Sequence, residues 1–181
     1  MGARGGRERT FFVDESKTND YLLVAVGVAR SDLEPCRRAL RALVLRGQSR
    51  LHMRKESDPR RRRILTTVLE LPISDVVIVR APKDGRTDVE RRAACIRRLV
   101  GIAADGPATL CFELDETLLR RDRQLLVESN RRLSPSSQVH HRHDSAAHEP
   151  LLAAPDAIAW AWAKGGDWRR RCGGGIAVEP A

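Results

Sequence analysis

The sequence predicts an α/β fold in which a mixed five-stranded sheet carries helices on both faces. Two apolar runs near the start are joined by a short polar turn, which is the pattern of an antiparallel hairpin. Apolar strand-like runs then alternate with segments of helical spacing, which is typical of a sheet covered by helices. The 181 residues match the size of one domain.

The first half of the chain predicts the hairpin and two helices. Residues 10–14 form a short strand, and residues 21–29 form a second, more continuously apolar strand. Ser31 and Glu34 have the spacing of a capping box, which predicts a helix from there to about residue 46. Another helix is predicted from residue 57 to the proline at position 72.

The second half predicts alternating strands and helices. Thr87 and Glu90 form a second capping box, which begins a helix that ends near residue 104. The other elements are strands at 75–80 and 109–115, a helix at 118–133, a polar edge strand at 138–144 and a closing helix at 155–164. Because parallel neighbours need a connection of a dozen or more residues, we expect the first strand between the second and the fourth.

The predicted domain organisation is simple. Residues 1–9 are rich in Gly and Arg and are expected to form a flexible basic arm, and residues 10–170 form a single domain. Three consecutive glycines favour a flexible tail over residues 171–181.

The charge balance favours phosphate-rich partners. The chain has 33 Lys and Arg residues against 24 Asp and Glu residues, giving a net charge of +9. A basic protein of this kind binds nucleic acid mainly by counterion release. Almost all of the basic residues are arginines, so a genome-wide compositional bias explains the same excess. The charge therefore permits binding of DNA or RNA without establishing it.

Several classes of protein are disfavoured. No stretch approaches the roughly 20 apolar residues of a membrane span, and the charged start has no apolar core of a secretory signal behind it. The cysteines at positions 36, 95, 111 and 172 are scattered, which predicts reduced thiols in a cytoplasmic protein. Motifs for nucleotide hydrolysis, esterase chemistry and dinucleotide binding are missing from the sequence.

Acidic residues stand where strands and a helix are expected to meet. Asp14 ends the first strand, whereas Glu113 and Asp115 end the fourth and share one face by alternation. Asp156 lies in an almost wholly apolar segment, residues 151–160. A carboxylate in such surroundings needs a partner, a metal or water. Mg²⁺ prefers a few carboxylates together with phosphates and water, and such ions support phosphodiester cleavage.

Each acid also has a structural interpretation. Asp14 can cap the turn that follows it. Asp115 can cap the helix predicted to begin at residue 118, and Asp156 suits the first turn of a helix after Pro155.

Short motifs resemble those of one family. Residues 12–16 (FVDES), followed by a hairpin, resemble the aromatic-x-Asp-Glu-Ser opening of a large uncharacterised bacterial and phage family with a ribonuclease H-like fold. Asp144-Ser145 and residues 151–156 (LLAAPD) are similar to its closing motifs, and Leu51-His52 before an Arg-rich helix is similar to its middle. The resemblance covers roughly residues 10–170.

The resemblance implies a site and an activity. It implies that Asp14 and Asp115 meet at the sheet centre and that a late helix adds Asp156. These three residues would hold Mg²⁺ or Mn²⁺, with Glu113 as a substitute or an addition, and all four are candidate catalytic residues. The implied activity is that of a nuclease acting on DNA or RNA.

Two positions depart from the family pattern. Lys17 stands where a glycine is common, and Pro155 replaces the usual alanine before the final acid. Pro155 is expected to shift the start of the closing helix and to move Asp156 out of place.

A histidine cluster at residues 140–148 suggests a transition-metal site at first sight. On a strand, however, His141 and His143 share one face while His140 and Asp144 share the other, so four convergent ligands are not expected. A solvated edge strand is favoured, and a role for one histidine near the substrate is the alternative.

Arginines and tryptophans give two weaker signals. The run Arg60–Arg63 begins a helix at its positive end, where four cations are unfavourable. This placement favours phosphate contact, although a solvated helix face is the usual explanation. Trp160 and Trp162 are assigned to packing rather than to base stacking.

The leading hypothesis is a metal-dependent nuclease-like protein that acts on nucleic-acid phosphodiesters. The first alternative is a non-catalytic nucleic-acid or protein-binding module that retains the fold. The second is an interaction partner in a phage-defence or mobile-element context. The distances between the carboxylates of Asp14, Asp115 and Asp156 distinguish the nuclease from the non-catalytic module.

Overall fold

The protein consists of a central sheet with helices on both faces. The computed structural model describes residues 8–181. The strands are β1 (Arg9–Ser16), β2 (Tyr21–Ala29), β3 (Ile73–Ala81), β4 (Ala108–Glu113), β5 (His140–Asp144) and β6 (Ile176–Pro180). The α-helices are α1 (Leu33–Arg41), α2 (Asp58–Glu70), α3 (Asp88–Ala103), α4 (Leu119–Asn130), α5 (Ala153–Lys164) and α6 (Gly166–Arg171). Within this range no helix is both long and apolar enough to cross a membrane.

The sheet is mixed, as the sequence predicts. Its six strands within residues 8–181 follow the order β5-β4-β1-β2-β3-β6. β1 pairs antiparallel with β2 and parallel with β4, while β2 pairs antiparallel with β3. The outer strands β5 and β6 run parallel to β4 and β3. The predicted place of the first strand, between the second and the fourth, is confirmed.

The prediction of five strands and of a flexible tail needs a correction at residues 176–180. These residues form β6, whose Ile176 lies opposite Val76 of β3. Gly173 adopts a φ of +73° between α6 and this strand, so the glycines form a turn rather than a loose end. Arg98 of α3 donates to Glu179 at 2.7 Å and ties β6 to the helical layer. Of the predicted basic arm at 1–9, residues 1–7 lie outside the described residues, and Arg9 belongs to β1.

One of the two predicted capping boxes forms at a helix start, and the other does not. Thr87 accepts from the backbone N–H of Glu90 at 3.3 Å, and Glu90 accepts from that of Thr87 at 2.7 Å, so this capping box forms. Ser31 instead lies in a 3₁₀ turn without a side-chain cap. α1 ends at Arg41, earlier than predicted, and an irregular segment follows in which Gly47 has a φ of +86°.

Alternation along β1 divides its side chains between two cores. Phe12 packs with α1, α2 and α5 on one face, and Phe11 and Val13 pack with α3 and α4 on the other. The same alternation sends Asp14 to the α5 face and Glu15 to the α3 face. Two consecutive acids thereby enter different environments.

Gly27 in β2 is a position where the packing depends on the missing side chain. A Cβ there would lie 3.0 Å from Phe11 Cε1, 3.0 Å from Ser74 Oγ and 3.2 Å from Asp75 Oδ2. We expect Gly27→Ala to lower the free energy of unfolding by about 1–3 kcal/mol, as overpacking does. Denaturant unfolding measures this change.

The control for this prediction is Gly101 on the exposed side of α3, where a Cβ would meet nothing within 4 Å. Gly101→Ala should stabilise by about 0.5–1 kcal/mol through helix propensity. Changes of the same sign in both variants would contradict the packing argument.

Candidate active site

A pocket of about 440 Å³ opens where β1 and β4 end, and α5 forms one of its walls. Its other walls are the turn between β1 and β2 and the segment around the 3₁₀ turn Met53–Lys55. The acids lining it are Asp14, Glu15, Glu113 and Asp156, and the basic side chains lining it are Lys17, His52, Arg54 and Lys164. The pocket therefore combines an acidic floor with a cationic rim.

Asp14 lies at the centre of this arrangement because β1 is a central strand. The parallel register pairs Val13 with Phe112, so the next residues, Asp14 of β1 and Glu113 of β4, lie side by side on the α5 face. Asp14 Oδ1 accepts from the backbone N–H of Glu15 at 2.7 Å. Burial raises the pKa of Asp14 well above its usual value, and the negative charges of Asp156 and Glu113 raise it further. We call Asp14, Glu113 and Asp156 the acid cluster.

Asp156 reaches the cluster from α5. The helix begins at Ala153, so Pro155 lies in its first turn, where the missing N–H costs no intrahelical bond. The expected displacement of Asp156 by Pro155 is therefore not seen. Asp156 Oδ2 accepts from the backbone N–H of Met53 at 2.8 Å and lies 3.4 Å from His52 Nδ1.

Glu113 completes the cluster from the last residue of β4. Arg50, in the irregular segment after α1, donates to its carboxylate. The sequence offers Glu113 only as a substitute or an addition, whereas the structure brings it directly beside Asp14.

The structure does not bring Asp115 to the pocket. β4 ends at Glu113, so the alternation that would carry Asp115 to the same face stops before it. Asp115 accepts from the backbone N–H of Thr117 at 2.9 Å and from its hydroxyl at 2.5 Å. Its backbone carbonyl accepts from Leu118 and Leu119 at the start of α4. The hydrogen bond from the Thr117 hydroxyl is the main cause that lowers the pKa of Asp115, which acts here as a turn-capping residue.

Glu15 belongs to a buried ionic network on the opposite face of the sheet. Arg92 of α3 donates to Asp122 of α4 through Nε at 3.0 Å and through Nη2 at 2.6 Å. Its Nη1 donates to Glu15 and, at 3.1 Å, to the hydroxyl of Tyr21. Burial opposes ionisation of Asp122, but the neighbouring His143 ring and the hydrogen bonds from Arg92 outweigh it and lower its pKa. Sequence reasoning missed this network, since its members are far apart along the chain.

The histidines of the predicted cluster separate in the structure. His143 stacks on Phe112 with ring centroids 5.4 Å apart, and its Nε2 lies 3.4 Å from Asp122 Oδ2 in the buried network. His148 is exposed, with Nδ1 3.2 Å from Ser145 Oγ. Burial lowers the pKa of His141, as do the neighbouring positive charges of the histidines and Arg123.

The acid cluster has the ligand type that a hard divalent cation prefers, but its side chains are not arranged around a metal position. From residue 8 to residue 181, no group of three or more His, Cys, Asp or Glu side chains is arranged to hold a metal ion as it stands. The acid cluster nevertheless offers carboxylate oxygens, the ligands that Mg²⁺ and Mn²⁺ prefer. Burial, followed by the neighbouring charges of Asp156 and Glu113, raises the pKa of Asp14, and a bound cation would favour its ionised form. Arg50 already pairs with Glu113, so a metal ion bound by Glu113 would compete with this ion pair.

The first three arginines of the run in α2 contact other residues of the protein. Arg60 donates to Glu56 at 3.1 Å and to the Leu43 carbonyl at 2.7 Å. Arg61 lies 4.6 Å from the centroid of Trp160. Arg62 and Arg63 remain exposed. Because the guanidinium carbon of Arg62 also lies 5.5 Å from the centroid of Trp168, three of the four arginines contact other parts of the protein.

Solved structures with a similar fold include ribonucleases H. No protein-family model matches the chain, and no curated protein matches it. Ribonuclease H2 from Pyrococcus horikoshii OT3 is 14% identical, with a TM-score of 0.55 over 84% of this chain and 70% of that chain. Ribonuclease HII from Archaeoglobus fulgidus, solved in complex with PCNA, is 19% identical, with a TM-score of 0.56 over 86% of this chain and 73% of the other.

A third similar structure is Bst ribonuclease HIII in complex with Mn²⁺. It is 19% identical, with a TM-score of 0.51 over 87% of this chain and 52% of its own. At these identities the likeness establishes the fold, while membership of the bacterial and phage family stays a prediction. The chain has a ribonuclease H-like fold.

Proposed function

We propose that this protein is a metal-dependent nuclease-like protein that acts on nucleic-acid phosphodiesters through its acid cluster. The observation that carries the proposal is the meeting of Asp14, Glu113 and Asp156, from three separate elements, in an open pocket. The ribonuclease H-like fold supports it, as does the Mn²⁺ bound in one of the similar structures.

Each part of the pocket has a role in this proposal. Asp14, Asp156 and Glu113 would hold Mg²⁺ or Mn²⁺; the sequence candidate Asp115 lies apart from them. The bound ion would neutralise the phosphate and activate water for attack on phosphorus. Arg54 and Lys164 on the rim offset the repulsion between the acid cluster and an anionic strand, and so position the phosphodiester.

A specific observation favours the second candidate function, a non-catalytic nucleic-acid or protein-binding module. Arg50 already neutralises Glu113, and the backbone of Met53 already occupies an oxygen of Asp156. If these contacts persist in the presence of divalent ions, the pocket binds its partner without cleaving it.

A pair of variants separates the two functions and distinguishes Glu113, the last residue of β4, from Asp115 in the turn that follows it. We expect Mn²⁺ or Mg²⁺ to raise the melting temperature of the wild type, because an ion that binds only the folded state stabilises it. Glu113→Gln should weaken the metal affinity by about tenfold or more, since it removes a charged ligand. Asp115→Asn should leave the affinity unchanged, because Asp115 caps a turn outside the pocket. Thermal-shift titrations measure both.

Cleavage assays complete the test with labelled DNA, RNA and hybrid strands in Mg²⁺ and Mn²⁺. Cleavage by the wild type and its loss in Glu113→Gln would support the nuclease proposal. A wild type that shows neither thermal shift nor cleavage would overturn it in favour of the binding module. Loss of metal binding in Asp115→Asn alone would return Asp115 to the site.

A further inference from the structure

A second pocket continues the first along the same side of the protein. It has a volume of about 370 Å³ and shares Ala163 and Lys164 of α5 with the acidic pocket. The turn between β1 and β2 also lines both, with Thr18 in the acidic pocket and Asp20 in the second. We call the second one the flanking pocket. Because the two pockets share two walls, they lie next to each other.

The flanking pocket carries positive charge that the described part of the chain leaves without an ion-pair partner. Arg170 and Arg171 of α6 pair with Asp167, whereas Arg169 pairs with no carboxylate and lies over a tryptophan ring. Lys164 is exposed and likewise makes no ion pair within residues 8–181.

The acid of the flanking pocket is already neutralised. Asp20 Oδ2 accepts from Arg80 Nε at 2.5 Å, and its Oδ1 accepts from the backbone N–H of Lys83 at 3.0 Å. The hydrogen bond from Arg80 is the largest cause that lowers the pKa of Asp20. The remaining charge of the pocket, from Lys164 and Arg169, is positive.

The flanking pocket also carries a stacking surface. The guanidinium carbon of Arg169 lies 4.3 Å from the centroid of Trp162, so a planar cation rests on an aromatic ring. Unpaired bases stack on both aromatic rings and guanidinium planes. Bases within a duplex are already stacked on one another and do not offer their faces to a pocket. The combination suits a single strand.

We infer that the flanking pocket binds a single-stranded nucleotide next to the phosphodiester in the acidic pocket. Its base stacks on the Arg169–Trp162 pair, and its phosphate contacts Lys164. The inference rests on the proposed function, because it assigns the strand in the acidic pocket to a nucleic acid. It names a substrate class for that site, a strand unpaired beside the position of attack.

The experiment measures binding without metal, so that cleavage plays no part. The full chain in EDTA is titrated into fluorescently labelled single-stranded DNA and RNA and into the matching duplexes. Arg169→Gln should weaken single-strand binding by about fivefold to tenfold, the size expected for one stacked base. Trp162→Leu should produce a loss of about the same size, with circular dichroism confirming that it folds.

Arg170→Gln is the matched control, since it removes the same charge from the next residue of α6 outside the pocket. It should change single-strand affinity by less than about twofold, the size of one screened surface charge. A selective loss in Arg169→Gln, with either DNA or RNA, would support the inference. Equal losses in the two arginine variants, equal losses on duplexes, or no single-strand binding by the wild type would overturn it. Binding that is intact without any metal-dependent cleavage would overturn the nuclease proposal alone.

Discussion

Asp14→Asn is expected to stabilise the metal-free protein at neutral pH and to abolish its thermal response to Mg²⁺ or Mn²⁺. The pKa of Asp14 is raised in the folded protein, so ionisation at neutral pH costs folding free energy. Asparagine keeps an oxygen for the backbone N–H of Glu15 and removes the charge that Asp156 and Glu113 repel. The same change removes the charge of the central residue in the proposed metal site, so any phosphodiesterase activity should be lost as well.

The pH dependence gives the sign of this effect. Below the unfolded-state pKa, Asp14 is protonated in both the folded and the unfolded state, so its ionisation makes no difference to stability. As the pH rises toward the folded-state pKa, the unfolded chain releases its proton first, so the wild type loses stability relative to the variant. Each kcal/mol gained by the variant raises the melting temperature by about 2–4 °C in a chain of this size. Melting curves from acid to neutral pH measure the difference.

Asp20→Asn serves as the control of opposite sign. The pKa of Asp20 is lowered by its hydrogen bond from Arg80, so its charge favours the folded state above the unfolded-state pKa. That variant should become less stable than the wild type as the pH rises to neutrality, because the wild type gains the stabilising charge of Asp20. An Asp14→Asn protein that is less stable than the wild type at neutral pH would contradict the repulsion argument.

Arg92→Ala is expected to be the most destabilising of the single substitutions considered. It would leave Asp122 buried with its paired cation gone, and it would remove the donors to Glu15 and Tyr21. Breaking a buried ion pair from one side typically costs about 3–5 kcal/mol. The melting temperature should therefore fall by about 6–20 °C.

Two further variants test why the stability falls. Arg97→Ala, on the exposed side of α3, should change stability by less than about 0.5 kcal/mol. Replacing both Arg92 and Asp122 by leucine removes the unpaired charge and should recover part of the loss. A loss below about 1 kcal/mol in Arg92→Ala would show that the network contributes little to folding.

Local signals in the sequence predict much of the fold. The hairpin, the Thr87 capping box and the crossovers depend on neighbouring residues, and they place β1 at the centre of the sheet. β6 escapes prediction because its pairing with β3 joins segments about a hundred residues apart, and glycines precede it. An edge strand formed in this way has no periodic apolar pattern to reveal it.

The site is predictable only where it follows from strand position. Asp14 and Asp156 can be placed from the elements that carry them, but the choice between Glu113 and Asp115 depends on the residue at which β4 ends. Strand ends are set by hydrogen bonding, here the turn held by Thr117, and alternation alone does not reveal them. The contacts of Arg50 with Glu113 and of Arg92 with Glu15 join residues distant in sequence, and no spacing rule reaches them.

The opposite orientations of Asp14 and Glu15 have an evolutionary consequence. Loss of the Asp14 charge relieves repulsion, whereas loss of Glu15 breaks a buried network that holds β1 against α3. Mutation is therefore free to erase the first acid once selection on the pocket relaxes, while it must retain the second for the protein to fold. In relatives that lack the proposed activity, we expect Glu15 and Arg92 to be retained more often than Asp14. Such a chain would be recognised by a retained Glu15 beside a substituted Asp14.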